Sequence, residues 1–410
     1  MSAPTLRVGP VAHGGHCVAR DEGRVVFVRH ALPGELVRVH LTDSRPTARY
    51  WRADAVEVLE PSVDRVPTPW PEAGPGGVGG GELGHVALPA QRAWKAAVVA
   101  EQLRRIAGLD TPVAVEAAPG ETDGLGWRTR IELVADGQGR AGMHRYRSHD
   151  VVALSQMPLA VPELGVAELL GRRWPAGARI TAVAPVGGDR PLVLVDGEPW
   201  TATGPDRRRT ARSSVRERAE VAGHAYTWRV AGSGFWQVHR GAPTALVSAV
   251  LDGVGDVDGA RVLDLYSGAG LFSLPLADAV GPSGRVHAVE GDARALRDAR
   301  RNLHDRPWVS VHGGDVAAVL AGGGAQEGPA LPERADVVVL DPPRVGAGRD
   351  VVAGVAARGP ARVVHVACDP AALARDVALF AEHGYRLSAA RGLDLFPMTH
   401  HVEVVAVLER

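Results

Sequence analysis

Hydrophobic and polar positions change their rhythm three times along this chain. Over residues 1–62 apolar residues come in short β-like runs at 5–8, 16–19, 24–28, 35–40 and 50–59. Gly14-Gly15, Asp21-Glu22-Gly23 and Leu32-Pro33-Gly34 break them. Five short strands in some sixty residues predict a small β-barrel, of which the oligonucleotide-binding barrel is one kind. Residues 66–89 follow as a Pro- and Gly-rich break. A helix is expected over 89–107, with Val98, Val99, Leu103 and Ile106 on one apolar face. Residues 110–225 read as mixed α/β, with strands near 128–134, 139–145, 179–185 and 191–196.

From about residue 226 strands alternate with helices. Strands are expected at 261–266, 285–290, 308–312, 335–340, 362–367, 385–390 and 402–408, with helices between most of them. That alternation predicts a doubly wound, mostly parallel seven-stranded α/β sheet. The domains expected are therefore a β-barrel (1–62), a central α/β domain (63–225) and a doubly wound domain (226–410), with the helix near 89–107 packing on the last. Ligands of such sheets bind at the carboxyl ends of the strands, so chemical groups that follow a strand point into one crevice.

Composition narrows the classes. The 410 residues carry 46 Lys+Arg against 47 Asp+Glu, a net charge of -1, so any nucleic-acid binding must come from local patches. Lys95 is the single lysine, and nearly every cation is arginine, the better side chain for phosphate and base recognition. Asp206-Arg207-Arg208-Arg209-Thr210-Ala211-Arg212 concentrates that charge; a solvated loop is the simpler reading than an RNA contact. The two cysteines, Cys17 and Cys368, exclude a disulfide scaffold and a four-cysteine metal site. The start of the chain does not read as a signal peptide and no apolar run approaches about 20 residues, so a cytoplasmic protein that spans no membrane is expected. A monomer is expected as well.

Three elements of the last domain carry chemistry. The first is Asp264-Leu265-Tyr266-Ser267-Gly268-Ala269-Gly270, a strand running into a glycine turn. Glu290 ends the next strand, where an acid can accept from both ribose hydroxyls, and Asp315 follows the third as an adenine-side neighbour. The turn lacks the third glycine of the dinucleotide fingerprint, and Asp264 suits an amino-acid ammonium better than a pyrophosphate. S-adenosylmethionine fits better than a nicotinamide cofactor. The second element is Asp341-Pro342-Pro343-Arg344. Its two prolines make a rigid strand exit able to hold a planar base, with Asp341 as acceptor. Base N-methyltransferases use a similar place, but Arg344 stands where they stack an aromatic. The third is Cys368, at a strand end before a helix whose N-terminal dipole favours thiolate.

A nucleophile beside a methyl donor answers a known chemical difficulty. C5 of a pyrimidine is too weak a nucleophile to take a methyl group unaided; thiolate addition at C6 makes it enolate-like. A base must then remove the C5 proton, and Glu403, opening the last strand, is the candidate.

At this point the chain resembles the RNA uracil-C5 methyltransferases that join a TRAM domain to an S-adenosylmethionine domain. Gly23-Arg24-Val25-Val26-Phe27-Val28, Leu32-Pro33-Gly34-Glu35 and Leu59-Glu60-Pro61-Ser62 resemble TRAM motifs. Phe235-Trp236-Gln237-Val238 is similar to the family's Phe-x-Gln-x stretch, which implies cofactor contact by Gln237. Residues 368–376 resemble the nucleophile motif and residues 394–403 the base motif. The resemblance implies methylation of a uridine in structured RNA, ribosomal RNA before transfer RNA, through a covalent Cys368 adduct. Together with Gln237, the residue reading gives cofactor contacts by Asp264, Tyr266, Gly268, Gly270, Glu290, Asp315 and Asp341, and substrate contacts by Pro342, Pro343 and Arg344. A non-catalytic RNA-binding or assembly protein that keeps the fold is the rival of another class. Cytosine-C5 methylation fits less well, because those enzymes use a second cysteine in the loop that here reads Asp-Pro-Pro-Arg. The N-terminal domain is expected to add RNA affinity but no chemistry. Many relatives hold an iron–sulfur cluster at positions where Trp70, Val78, Gly81 and Met157 stand here, so no metal and no cluster are expected, with apolar packing in its place.

Overall fold

The computed structural model describes residues 4–323 and 330–410. Its N-terminal part is a six-stranded sheet in the order Thr5–Arg7, Leu36–Asp43, Tyr50–Glu60, Arg24–Arg29, His16–Asp21, Val11–Ala12. All pairs are antiparallel except Arg24–Arg29 with Tyr50–Glu60. Bulges between Leu36–Asp43 and Tyr50–Glu60 bend the sheet around Cys17, Val26, Val28, Val37 and Val39. The sixth strand, two residues long, is too short to show an alternation.

The central part is a seven-stranded antiparallel sheet in the order Val151–Ala153, Ala141–His144, Arg130–Ala135, Arg179–Val183, Leu192–Val195, Glu198–Thr201, Gly204–Pro205. The four strands expected from the sequence form its middle, and the three unforeseen ones are short edge pieces. Trp70, Val78 and Met157 are buried in its apolar cluster. A Cβ on Gly81 would sit 2.7 Å from the Ala73 Cβ and 3.4 Å from the Trp70 ring. These four positions are thus filled by close apolar packing.

The last part holds an eight-stranded sheet, one strand more than expected. Its order is Val309–Gly313, Arg285–Glu290, Arg261–Leu265, Val337–Leu340, Arg362–Ala367, Glu403–Glu409, Arg386–Asp394, Ala114–Ala117. Glu403–Glu409 alone runs antiparallel to its neighbours. The additional edge strand, Ala114–Ala117, is mostly exposed and joins through backbone pairing plus the Arg391–Glu116 ion pair, so it has no apolar run to announce it. Alternate residues of the central strands enter opposite cores: Val262, Val339 and Val364 on one face, Leu263, Leu340 and Val363 on the other. Burial on both faces is what turns these strands into nearly continuous apolar runs.

The helix Leu88–Gln102, continued by a wide turn over Leu103–Ala107, packs on the helix Pro370–Glu382 and on Ala114–Ala117. Lys95 lies on its buried face, with Nζ 2.5 Å from Asp394 Oδ1 and 3.0 Å from the Phe396 carbonyl. The hairpin Ser214–Val221/His224–Ala231 packs Ala219, Tyr226, Trp228 and Val230 into the same core as Leu246 and Val262. The boundary expected at 225–226 falls inside its second strand. No described helix is long and apolar enough to cross a membrane.

Candidate active site

The strand Arg261–Leu265 ends in a turn that carries Tyr266 at φ +64°, Gly268 at +57° and Gly270 at +90°. A non-glycine residue at positive φ stores strain that the surroundings must hold. The Trp228 indole N–H donates to the Gly270 carbonyl at 2.9 Å, and the Asn302 amide donates to the Ala269 carbonyl at 2.9 Å. Among the described residues, its chain neighbours apart, no atom lies within 4 Å of where a Gly268 Cβ would stand, so the inside of the turn is open to a ligand. Glu290 accepts from the Gly268 N–H at 2.8 Å through one oxygen and from the Asp292 N–H at 2.6 Å through the other. It ties the first strand's turn to the second strand and keeps lone pairs for a ligand. Asp315 is exposed after the third strand and caps the helix Val316–Leu320 through the Ala318 N–H. Its charge reaches Tyr266, whose hydroxyl is pushed up to about 12, chiefly by burial.

Asp264 is fully buried beneath the turn. One oxygen accepts from Ser273 Oγ at 2.5 Å; the other, like the buried Ser267 hydroxyl, has no partner among the described residues. Burial raises its carboxyl to about 7. Asp341, at the tip of Val337–Leu340, is pushed to about 7 by loss of water and by the charge of Asp264. Glu403, 6% exposed, is raised well above the ordinary carboxylate range by burial and by Asp341, with Arg344 opposing. Three carboxyls crowded this way favour a cationic ligand, and two orphaned polar atoms await partners. S-adenosylmethionine carries a sulfonium and an ammonium, so the residues present fit it.

The strands Arg362–Ala367 and Glu403–Glu409 pair Val366 with Val405 and Ala367 with Val404. One step further along this register brings Cys368 opposite Glu403. The Cys368 thiol, half-buried, is pushed up to about 12 by burial and then by Glu403 and Asp341, while Arg344 opposes. The expectation that a helix dipole yields thiolate is therefore corrected. Asp369 already caps the helix Pro370–Glu382, its carboxylate accepting from the Ala372 N–H at 2.8 Å, so the dipole is met by an anion at the next residue.

Pro342 is buried, while Pro343 and Arg344 are exposed at the mouth, with Arg344 Nη2 3.4 Å from His401 Nε2. Gln237 is buried beside Trp236 in the loop between the hairpin and the helix Ala242–Val254. In the arginine-rich stretch, Arg208 pairs with Asp206 and Arg212 donates to the Arg190 and Pro191 carbonyls, as in an exposed loop.

Several supports were missed from sequence. Asp376 accepts from the Ala347 and Gly348 N–H groups at 2.7 and 3.0 Å and lies 3.0 Å from His365 Nε2, so it ties the Cys368 arm to the loop after Arg344. Lys95 fixes Asp394, the first residue of the base motif. The chain's single lysine, placed among Trp94, Val98 and Val99 on the buried helix face, was the available signal.

A mostly parallel sheet with a glycine turn after its central strand, an acid at the tip of the next and a reversed strand near the far edge defines a class I S-adenosylmethionine-dependent methyltransferase. Comparison with known proteins narrows this. Residues 5–56 match the family model "TRAM domain", and residues 333–410 match "tRNA (Uracil-5-)-methyltransferase". A Streptomyces avermitilis protein described as an uncharacterized RNA methyltransferase is 43% identical over 98% of this chain and 97% of its own length. The 23S rRNA (uracil(1939)-C(5))-methyltransferase RlmD of Alkalilimnicola ehrlichii is 32% identical over 99% of this chain and 96% of its own. The tRNA (uracil-54, C5)-methyltransferase of Pyrococcus abyssi, solved with S-adenosyl-L-homocysteine, shares the fold with a TM-score of 0.71 at 21% identity, over 98% of this chain and 100% of that one. The chain belongs to the S-adenosylmethionine-dependent RNA (uracil-5-)-methyltransferases.

Proposed function

We propose that this enzyme methylates C5 of a uridine in ribosomal RNA, with Cys368 as nucleophile and Glu403 as base. The observation that supports the reading is that Cys368 directly follows Ala367 and Glu403 directly precedes Val404, the last pair of the two strands, with Asp341 and Arg344 acting electrostatically on both. S-adenosylmethionine supplies the methyl group from its sulfonium. Asp264, Glu290, Asp315, Gln237 and the turn 266–270 would hold it, with Asp341 as a further acceptor beside Asp264. Cys368 loses its proton to solvent and its thiolate adds to C6. C5 then takes the methyl group, Glu403 removes the C5 proton, and the Cys368–C6 bond breaks to release thiolate. Each turnover delivers one methyl to RNA and one proton to the base.

Pro342, Pro343 and Arg344 border the target base. A groove of about 300 Å³ lined by Arg229, Arg294, Arg297 and Arg301 with Ser213 and Ser214 adjoins the loop of Gln237. A second, of about 600 Å³ between the N-terminal and central sheets, includes Arg45, Arg52, Arg145 and Arg147. Both suit RNA phosphates in a chain of nearly neutral net charge. Ribosomal RNA is preferred because a full-length relative at 32% identity is named for 23S rRNA, while the full-length tRNA enzyme of the same fold is 21% identical. Acting there, the enzyme works in the cytoplasm as a monomer. Mapping 5-methyluridine in ribosomal and transfer RNA from a deletion strain tests this. Loss of one ribosomal site is expected; loss confined to transfer RNA would reassign the substrate, and no loss would refute the activity.

A further inference from the structure

The turn between the strands Val11–Ala12 and His16–Asp21 belongs to the N-terminal sheet, yet it reaches the arms that carry Cys368 and Glu403. His13 Nε2 lies 3.0 Å from Asp369 Oδ2, the residue directly after Cys368. The same carboxylate caps the helix that follows, so Asp369 is held from two sides. Two residues on, Gly15 backs onto His400. Its φ is +76°, and a Cβ there would stand 3.1 Å from the His400 Cβ and 3.3 Å from its ring. The His400 ring packs on His401 at a centroid separation of 4.1 Å, and His401 in turn meets Arg344. His400 also lies three residues before Glu403 in the chain.

We propose that this turn is a positioning element of the methyl-transfer centre, with His13 fixing the Cys368 arm through Asp369 and Gly15 fixing the Glu403 arm through His400. The inference rests on the reading of Cys368 and Glu403 as the reacting pair. It changes the role of the N-terminal domain from RNA tether to part of the wall that sets the geometry of the site. The His13–Asp369 pair is partly solvated, with side-chain exposures of 39% and 23%, so its worth lies in orientation and not in stability. Orientation is where small displacements matter most: about 1 Å at a reacting atom lowers a rate on the order of a hundredfold.

The test uses the full chain with three variants: His13→Ala, His13→Gln, whose amide N–H reaches Asp369 from nearly the place of Nε2, and Gly15→Ala. Steady-state methylation of 23S ribosomal RNA from a strain lacking the enzyme gives kcat and KM. RNA carrying 5-fluorouridine reports on Cys368, because fluorine at C5 leaves no proton to remove and the methylated adduct persists. His13→Ala is expected to lower kcat and the rate of adduct formation roughly tenfold, with KM for RNA nearly unchanged and Tm kept. His13→Gln is expected to restore most of kcat, and Gly15→Ala to lower it. A raised KM at unchanged kcat would make the turn an RNA contact only and overturn the proposal, as would variants that behave like the wild type. A wild-type protein that forms no adduct would instead remove the reading of Cys368 on which the proposal stands.

Discussion

Asp264 sits at the floor of the glycine turn with its charge unneutralised. It is fully buried, shares one oxygen with Ser273 and leaves the other without a partner among the described residues. Burial lifts its pKa from 3.8 to about 7, with the Ser273 hydrogen bond opposing and the charge of Glu290 adding. The folded-state value lies above the unfolded one. The contribution to stability is therefore complete below pH 3.8 and is lost as pH rises through about 7. Above that, holding the charge inside costs about 4 kcal/mol, at about 1.36 kcal/mol per unit. Asp264→Asn keeps a carbonyl for the Ser273 hydroxyl and removes the charge. Urea unfolding of the ligand-free protein can be followed by tryptophan fluorescence, since Trp228 donates to the glycine turn itself. The variant's advantage over wild type is expected to grow by about 2–3 kcal/mol from pH 5 to pH 8, most of the linkage falling in that interval. The same variant is expected to bind S-adenosylmethionine at least about tenfold more weakly, the equivalent of about 1.4 kcal/mol. A stability difference that does not change with pH, or a variant less stable at pH 8, would mean that the Asp264 charge is not held at this cost.

Two further outcomes follow from other parts of the fold. Lys95→Met leaves the buried Asp394 carboxylate unpaired, so thermal or urea unfolding should show a loss of about 3–5 kcal/mol, much of it recovered in Lys95→Met/Asp394→Leu. Iron and sulfide assays on protein purified without oxygen should find neither in stoichiometric amount, because Trp70, Val78 and Met157 are packed in apolar contact and offer no thiolate; a visible cluster absorption band would contradict this.

The sequence was most readable where burial on two faces forces runs of apolar residues. The strands around Val262, Val338 and Val364 came out within a residue or two, and with them the strand ends that hold Asp264, Glu290, Asp341 and Cys368. It was least readable where other interactions hold an element. In Ser214–Val221 the buried register Val215, Glu217, Ala219, Val221 is interrupted by a glutamate, which pairs with Arg130 at 3.0 Å from another domain. Ala114–Ala117 turns only Val115 inward and otherwise joins its sheet by backbone and one ion pair, too little for a pattern. The Cys368 microenvironment was misjudged for a related reason. A helix N-terminus can be seen in a sequence, but the carboxyls of Glu403 and Asp341, brought from 35 residues downstream and 27 upstream, come together only in the fold. The contact of His13 with Asp369 spans 356 positions and had no local sign.

If Cys368 and Glu403 act in sequence on one base, Glu403→Gln separates their steps. Its amide keeps the shape of the site but is no base, so addition and methyl transfer proceed while elimination stalls. With substrate RNA and S-adenosylmethionine, the variant is expected to accumulate a covalent protein–RNA adduct that survives denaturing electrophoresis. The adduct should disappear when Cys368→Ala is added. A Glu403→Gln enzyme that turns over normally, or a Cys368→Ala enzyme that still methylates, would contradict the account.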